Sequence, residues 1–133
     1  MMKKESLMAG ILEHVNVTVS DPAATAALYG RLFGWAVRWK GASMNGGHTV
    51  HVGTVVQYVA LYRGKGDQVL HDDGDRTCGA LNHIALVVDD LEATESLVRA
   101  EGLTTLNHAD YDPGRRFYFH DSDGIEYEVV SYS

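Results

Sequence analysis

The 133-residue sequence is poor in cysteine, in clustered positive charge and in long apolar runs. Its one cysteine, Cys78, excludes a disulfide within the chain and is typical of a reducing compartment. The 11 lysines and arginines are scattered among 18 acidic residues, and the net charge of −7 disfavours nucleic acid as a partner. No apolar run reaches the ~18–20 residues that span a bilayer, and "MMKKESLMAGIL" is too weak for a secretory signal. We therefore expect a cytoplasmic protein with no membrane partner.

The sequence contains one internal repeat, present in two copies. "ILEHVNVTVSDPAATAALY" starts at position 11, and "ALNHIALVVDDLEATESLV" starts at position 80, which is 69 residues later. Identical residues keep one register over about twenty positions, and the period is too long and too rarely repeated for a solenoid. The pattern indicates a duplicated half-domain. The matched pairs are Leu12 and Leu81, His14 and His83, Val19 and Val88, Asp21 and Asp90, Ala24 and Ala93, Thr25 and Thr94, and Leu28 and Leu97.

Each copy predicts a strand followed by a helix. In "HVNVTV" the valines alternate with His14, Asn16 and Thr18, and in "HIALVV" the apolar residues alternate with His83 in the same way. Asp21 precedes the first helix and Asp89 or Asp90 the second, as N-caps require, and Gly34 and Gly102 stand where the two helices should end. The stripe predicted to be buried in the second helix is Leu91, Thr94, Leu97 and Val98.

Three strand-like segments separated by turns follow each helix, so each half reads β-α-β-β-β. We expect an α+β domain over 1–133, with the two modules forming a curved mixed sheet. Module one covers about 9–63, a polar, glycine-rich linker covers about 64–79, and module two covers about 80–132.

The polar strand faces suggest a metal site. Two histidines at equivalent positions of two copies lie on opposite sides of a pseudo-twofold axis, where both rings can meet one ion. The last strand, "IEYEVV", adds Glu126 and Glu128 on one face. Two imidazoles and one carboxylate suit Fe, Mn, Ni, Co or Zn. The alternatives are an ordinary strand histidine and a glutamate that pairs with His83 or an arginine.

Taken together, "LEHVNVTVSD", "LYGRLFGW", "LNHIALVVDD" and "FYFHDSDGIEYEVV" resemble the vicinal oxygen chelate superfamily, from Ile11 to Tyr132. This superfamily includes glyoxalase I, extradiol dioxygenases, and fosfomycin- and bleomycin-resistance proteins. The resemblance implies a glyoxalase/dioxygenase-like fold and a metal held by the first and last strand of each half. It implies His14, His83 and Glu128 as ligands, with Ala60 at the fourth position. Because alanine neither ligates nor accepts a proton, Ala60 disfavours glyoxalase I activity.

The branches of that superfamily make different demands on the chain. A dioxygenase needs an acid–base residue, for which Tyr118 and His120 are candidates, and Tyr58 and Tyr62 beside Ala60 are placed to stack on an aromatic substrate. Their alternative is ordinary strand packing. A fosfomycin-resistance enzyme needs a hydroxyl two residues after the first histidine, and this chain has Asn16 there instead. Asn16 is nevertheless a candidate substrate-binding residue. It also needs a basic pocket, which Arg115 and Arg116 can supply unless they form a solvated turn.

The sequence therefore predicts a divalent-metal-dependent lyase or dioxygenase acting on a small oxygen-bearing molecule, working as a homodimer. The alternative is a metal-free drug-binding protein of the bleomycin-resistance type. His48 and His51 lie on opposite faces of one strand, so only one of them can face a substrate. His71, in "LHDDGD", lacks the spacing of a calcium loop and is not expected to bind metal.

Overall fold

The structure, a computed structural model, describes residues 9–69, 74–111 and 114–133. These residues form two compact units. The first contains the described residues up to Tyr29 together with Trp35–Gly66, and the second contains Gly30–Gly34 and the described residues from Asp67 to Ser133. The break at Gly66 falls inside the segment predicted as a linker. Within the described ranges, every helix is too short or too polar to cross a bilayer.

The first unit is built on a four-stranded mixed sheet in the order β1-β4-β3-β2. The pair β1–β4 is parallel and the other pairs are antiparallel. A short 3-10 turn joins β2 to β3, and the last turn of α1 belongs to the second unit. The elements are β1 (His14–Thr18), α1 (Pro22–Phe33), β2 (Ala36–Ala42), β3 (His48–Gly53) and β4 (Tyr58–Arg63).

The second unit repeats this plan with a sheet in the order β5-β8-β7-β6, in which β5–β8 is the parallel pair. Both units run β-α-β-β-β, so the prediction of an α+β fold with duplicated modules is confirmed, as two four-stranded mixed sheets. The elements are β5 (Ile84–Val87), α2 (Leu91–Ala100), β6 (Thr105–Tyr111), β7 (Gly114–His120) and β8 (Glu126–Ser131).

The helices begin and end where the sequence predicts. The side chains of Asp21 and Asp90 each accept a hydrogen bond from the backbone N–H three residues ahead, at 3.1 and 3.0 Å. This satisfies donors that have no partner inside the helix. Gly34 and Gly102 follow the helices with φ of 71° and 82°, a conformation that costs glycine little.

One face of the second sheet forms an apolar core. Phe117, Phe119 and Val129 are fully buried on this face, and α2 packs against β6, β7 and β8. Fully burying a side chain of this size contributes about 1.5–3 kcal/mol. Leu91, Thr94 and Val98 of α2 are buried as predicted, but the prediction for Leu97 is wrong, because its side chain is 46% exposed at the rim of the stripe. The opposite face of the sheet carries the polar residues.

Candidate metal and substrate site

The polar face of the first sheet carries the predicted residues of module one. In the parallel register His14 pairs with Tyr58 and Asn16 pairs with Ala60, while Tyr62 follows Ala60 on the same face. Burial alternates along β1 as the sequence indicates, with His14 and Asn16 exposed between half-buried valines. Ala60 is only 1% exposed, so a methyl group stands in the middle of this face.

Aromatic and charged side chains gather at one end of this face, around Tyr58. The Tyr58 ring centroid lies 4.7 Å from that of His14 and 4.6 Å from that of His51, with nearly parallel planes. The Arg38 guanidinium carbon lies 4.4 Å above the same ring. This group, which we name the Tyr58 cluster, presents flat rings, the Arg38 guanidinium and the Glu13 carboxylate. Its members are Glu13, His14, Arg38, Trp39, His51 and Tyr58.

His51 is the inward-facing histidine of β3. It pairs directly with Ala60, whereas His48 pairs with Arg63 and is exposed on the other face. Burial lowers the pKa of His51, and the neighbouring His14 and Arg38 lower it further. His51 is therefore a neutral hydrogen-bonding group at neutral pH. The sequence left the choice between the two histidines open because it does not fix the register of β3.

The polar face of the second sheet carries the other predicted residues. Glu128 pairs with Tyr118, and Glu126 pairs with His120, in the antiparallel register of β7 and β8. His120 Nε2 lies 3.1 Å from Glu126 Oε1, so this histidine contacts a carboxylate at the edge of the face. Burial raises the pKa of Tyr118, and the negative charge of Glu128 raises it further, which keeps the phenol protonated.

Glu128 is the centre of this face and contacts two basic side chains. Its Oε1 lies 3.1 Å from His83 Nε2, and its Oε2 accepts a hydrogen bond from Arg116 Nη1 at 2.8 Å. Its side chain is 11% exposed, so both contacts form largely out of water. The ring of Tyr118 meets that of His83 edge-on, with centroids 6.0 Å apart. The predicted pairing of Glu128 with His83 or an arginine therefore occurs with both.

The strand registers make Ala60 the equivalent of Glu128. Asn16 lies two residues after His14 and pairs with Ala60, just as Ala85 lies two residues after His83 and pairs with Glu128. The carboxylate is thus present in the second unit and replaced by a methyl group in the first. By the same registers, His51 occupies the place that Tyr118 has in the second unit.

Both predicted ligand histidines are oriented by the residue before them. His14 Nδ1 lies 2.8 Å from Glu13 Oε1, and His83 Nδ1 lies 2.7 Å from Asn82 Oδ1. The Asn82 amide nitrogen donates to Asp75, so its oxygen faces the ring of His83. An oxygen acceptor at Nδ1 requires a proton there and leaves Nε2 available as a ligand, an arrangement common among metal-binding histidines.

The chemistry of this donor set fits part of a metal site. With Nδ1 protonated, the Nε2 atom of His83 faces the Glu128 carboxylate, and a proton or a cation between them stabilises the contact. Two ligands of one divalent ion at ~2.1 Å lie about 3 Å apart, as these two atoms do. His14 belongs to the first unit. Across the described ranges, no three or more His, Cys, Asp or Glu side chains are grouped to hold one ion.

Sequence reasoning missed several residues of these two faces. Glu13 and Asn82 precede matched histidines, so the repeat alignment itself was the available signal. Arg38 and Asp75 carry no motif, because a β-bulge in β2 and a loop, respectively, place them. His71 lies outside the described residues.

Comparison with known proteins gives one family. No curated protein matches the chain in sequence. Similar folds include the glyoxylase/bleomycin resistance protein/dioxygenase domain from Frankia sp. EAN1pec, with 19% identity and a TM-score of 0.76 over 94% of this chain and 98% of that one. A glyoxalase family protein from Enterococcus faecalis has 16% identity and a TM-score of 0.70 over 93% and 98%.

A third similar fold is the fosfomycin resistance protein FosX from Listeria monocytogenes, complexed with Mn(II) and sulfate ion. It has 19% identity and a TM-score of 0.70 over 95% of each chain. At such identities these likenesses show the fold alone. The family model described as Glyoxalase/Bleomycin resistance protein/Dioxygenase superfamily matches residues 11–129, nearly the whole sequence. The chain therefore belongs to the glyoxalase/bleomycin resistance protein/dioxygenase superfamily, the vicinal oxygen chelate proteins that its repeated motifs resemble.

Proposed function

We propose that the protein is a divalent-metal-dependent enzyme, a lyase or a dioxygenase, acting on a small oxygen-bearing organic molecule. One observation carries the proposal: His83 Nε2 and Glu128 Oε1 lie 3.1 Å apart while Asn82 occupies the other nitrogen of the ring. A buried carboxylate facing the free nitrogen of an oriented imidazole is the chemistry of half a metal site. His14, oriented by Glu13 in the same way, is the third proposed ligand.

The proposed ion is one of Fe, Mn, Ni, Co or Zn, since imidazole and carboxylate ligands accept all of these. The similar fold of FosX is recorded with Mn(II), which makes Mn²⁺ the first ion to test. When bound, such an ion supplies a Lewis acid that stabilises negative charge on a substrate oxygen.

Tyr118 and His120, which lie near Glu128, are the proposed acid–base residues. The hydroxyl of Tyr118 is protonated and stands beside Glu128 and His83, where it can donate to a developing oxyanion. His120 lies on the same face but is paired with Glu126. Tyr118 is therefore placed nearer to the proposed ligands than His120 is.

The first sheet is proposed to hold the substrate. Tyr58 presents a flat ring backed by His14 and His51, and Tyr62 and Asn16 lie on the same face. Aromatic faces favour a planar substrate over a flexible apolar one. The Arg38 guanidinium can contact an anionic group, although the Glu13 carboxylate of the same cluster opposes its charge. Ala60 leaves this face without the glutamate that glyoxalase I activity needs, so that activity remains disfavoured.

A metal-free binding protein is the second candidate, and one observation favours it. Both oxygens of Glu128 already have partners within the chain, the His83 ring nitrogen and the Arg116 guanidinium. A carboxylate satisfied in this way is stable without an ion, and the Tyr58 cluster by itself offers a stacking surface for a drug.

The test separates the two candidates by metal dependence. Chelator-stripped protein is titrated with Mn²⁺, Zn²⁺ and Fe²⁺ under anaerobic conditions, while the melting temperature is followed. An ion at 100 times its dissociation constant adds about 2.7 kcal/mol to the free energy of unfolding. A rise with at least one of these ions supports the enzyme. No rise with any ion, together with a rise on adding planar aromatic drugs, supports the binding protein.

We further propose that the protein is cytoplasmic, because a single cysteine is typical of a reducing compartment. We also propose that it forms a homodimer, as members of the family usually do. Light scattering coupled to size-exclusion chromatography measures the molar mass in solution. A mass near that of one 14.6 kDa chain would contradict the dimer.

A further inference from the structure

Arg116 and Glu128 form an ion pair on the polar face of the second sheet. Arg116 Nη1 donates to Glu128 Oε2 at 2.8 Å, and the two side chains are 16% and 11% exposed. They come from neighbouring antiparallel strands, β7 and β8, and lie diagonally on the same face, since Arg116 pairs with Val130, two residues after Glu128. At this exposure the attraction is screened far less by salt than that of a surface pair.

The guanidinium is nevertheless held incompletely. Its Cζ atom lies 5.1 Å from the ring centroid of Tyr111, which supplies a cation–π contact. Its Nε atom is buried and, among the described residues, has no hydrogen-bond partner. A buried donor without a partner is unfavourable. Arg116 is therefore held by Glu128 and Tyr111, while one of its donors stays unsatisfied.

Because of this position, Arg116 competes with any cation that binds the Glu128 carboxylate. An ion bound to Oε1 beside His83 shares one carboxylate with the guanidinium on Oε2, and two positive charges so close repel each other. We propose that Arg116 is a resident counter-ion of Glu128 that competes with the divalent cation and so lowers the metal affinity of this site. The inference rests on the proposed function, because it concerns the same carboxylate. Acting through Glu128, Arg116 would set how much free metal the protein needs.

If Arg116 supports metal binding, its removal changes the metal dissociation constant in the opposite direction. If Arg116 served instead to hold Glu128 in a metal-ready orientation, its removal would weaken metal binding. The direction of the change in dissociation constant therefore decides between competition and support.

The experiment measures Mn²⁺ binding to the full chain by isothermal titration calorimetry, for wild type and Arg116→Gln. A neighbouring opposite charge changes the proton affinity of a carboxylate by about 10- to 1000-fold, so the Mn²⁺ dissociation constant should fall at least about tenfold in Arg116→Gln. Arg116→Lys keeps the charge without the planar fork and should lie between the two. Circular dichroism and thermal unfolding establish that each variant is folded.

Arg115→Gln is the matched control. Arg115 is the adjacent residue on the other face of β7 and pairs with Glu92 on α2, so the variant loses the same charge without touching Glu128. Its Mn²⁺ affinity should stay at the wild-type value. If Arg116→Gln binds Mn²⁺ no more tightly than wild type, competition is overturned while the metal site stands. If neither wild type nor Arg116→Gln binds Mn²⁺ or Zn²⁺, the proposed metal site fails and the inference fails with it.

Discussion

The turn before β8 depends on one buried carboxylate, Asp121, and substitutions there should separate its roles. Asp121 Oδ1 accepts hydrogen bonds from the backbone N–H groups of Asp123 and Ile125, at 2.9 and 3.0 Å. Its Oδ2 accepts from the hydroxyl of Tyr127 at 2.7 Å. The side chain thus closes the turn that leads into the strand carrying Glu128.

The magnitude follows from the count of these bonds. Asp121→Ala removes three acceptor contacts, those to the Tyr127 hydroxyl and to the backbone N–H groups of Asp123 and Ile125. At about 1 kcal/mol for each bond, the free energy of unfolding should fall by about 3 kcal/mol. Asp121→Asn keeps an oxygen for both N–H groups, and its amide can donate to the Tyr127 hydroxyl. It should therefore lie within about 1 kcal/mol of wild type at neutral pH.

The pH dependence of the free energy of unfolding gives a second test of Asp121. Burial raises the pKa of Asp121, although hydrogen bonds from Tyr127, Ile125 and Asp123 act in the other direction. A carboxyl whose pKa is higher in the folded state contributes stability that is fully present below its unfolded pKa and is lost as pH rises through the folded pKa. Asp121→Asn lacks this titration. Its stability relative to wild type should therefore increase as pH rises from about 4 to about 7.

Urea unfolding followed by circular dichroism measures both arms by linear extrapolation. If Asp121→Ala is as stable as wild type, or Asp121→Asn is as damaged as Asp121→Ala, the account of the turn is wrong. A difference between wild type and Asp121→Asn that stays constant with pH would contradict the raised pKa.

Three further predictions use the same preparations. Burial raises the pKa of Glu95, but hydrogen bonds from Thr105 and His108 outweigh it and lower the pKa, so the stability that Glu95 contributes is lost as pH falls through its folded pKa. Glu95→Ala should cost about 1–2 kcal/mol at neutral pH in urea and less in acid; an equal cost at both would contradict this. Phe117→Ala, in the fully buried core, should cost about 3–5 kcal/mol in the same assay, and a cost below 1 kcal/mol would refute its place there. Tyr118→Phe should lower kcat about 100-fold on a substrate found by screening while leaving the Mn²⁺ affinity intact, and unchanged kcat would remove Tyr118 from the chemistry.

The fold could be predicted because the signals were local and repeated. The alternation in "HVNVTV" and "HIALVV" predicts the first strand of each module, and the aspartate caps and glycines predict the helix ends. The duplication gives each of these signals twice. The failure at Leu97 shows the limit of periodicity. A stripe marks the side of a helix that faces the sheet, but the packing partner decides how wide the buried part is.

The polar faces followed from strand parity, while the contacts on them did not. Parity places Glu128 with Glu126, Tyr118 with His120, and His83 opposite the apolar residues of its own strand. The family resemblance then joins His83 and Glu128 in one site. Parity does not say which rotamer Arg116 adopts or that Asp75, from a loop, fixes the amide of Asn82. Those contacts depend on side-chain torsions and on registers set by bulges and turns, for which the sequence has no short-range signal.

The most direct test of the central claim is the Mn²⁺ dissociation constant of His83→Ala, measured by calorimetry beside wild type and His48→Ala. His48 is an exposed histidine on the other face of its sheet, so its loss controls for the removal of an imidazole. The account predicts binding in wild type and His48→Ala, and a loss of at least about 100-fold in His83→Ala. Equal affinity in all three proteins would show that the imidazole facing Glu128 is not a metal ligand.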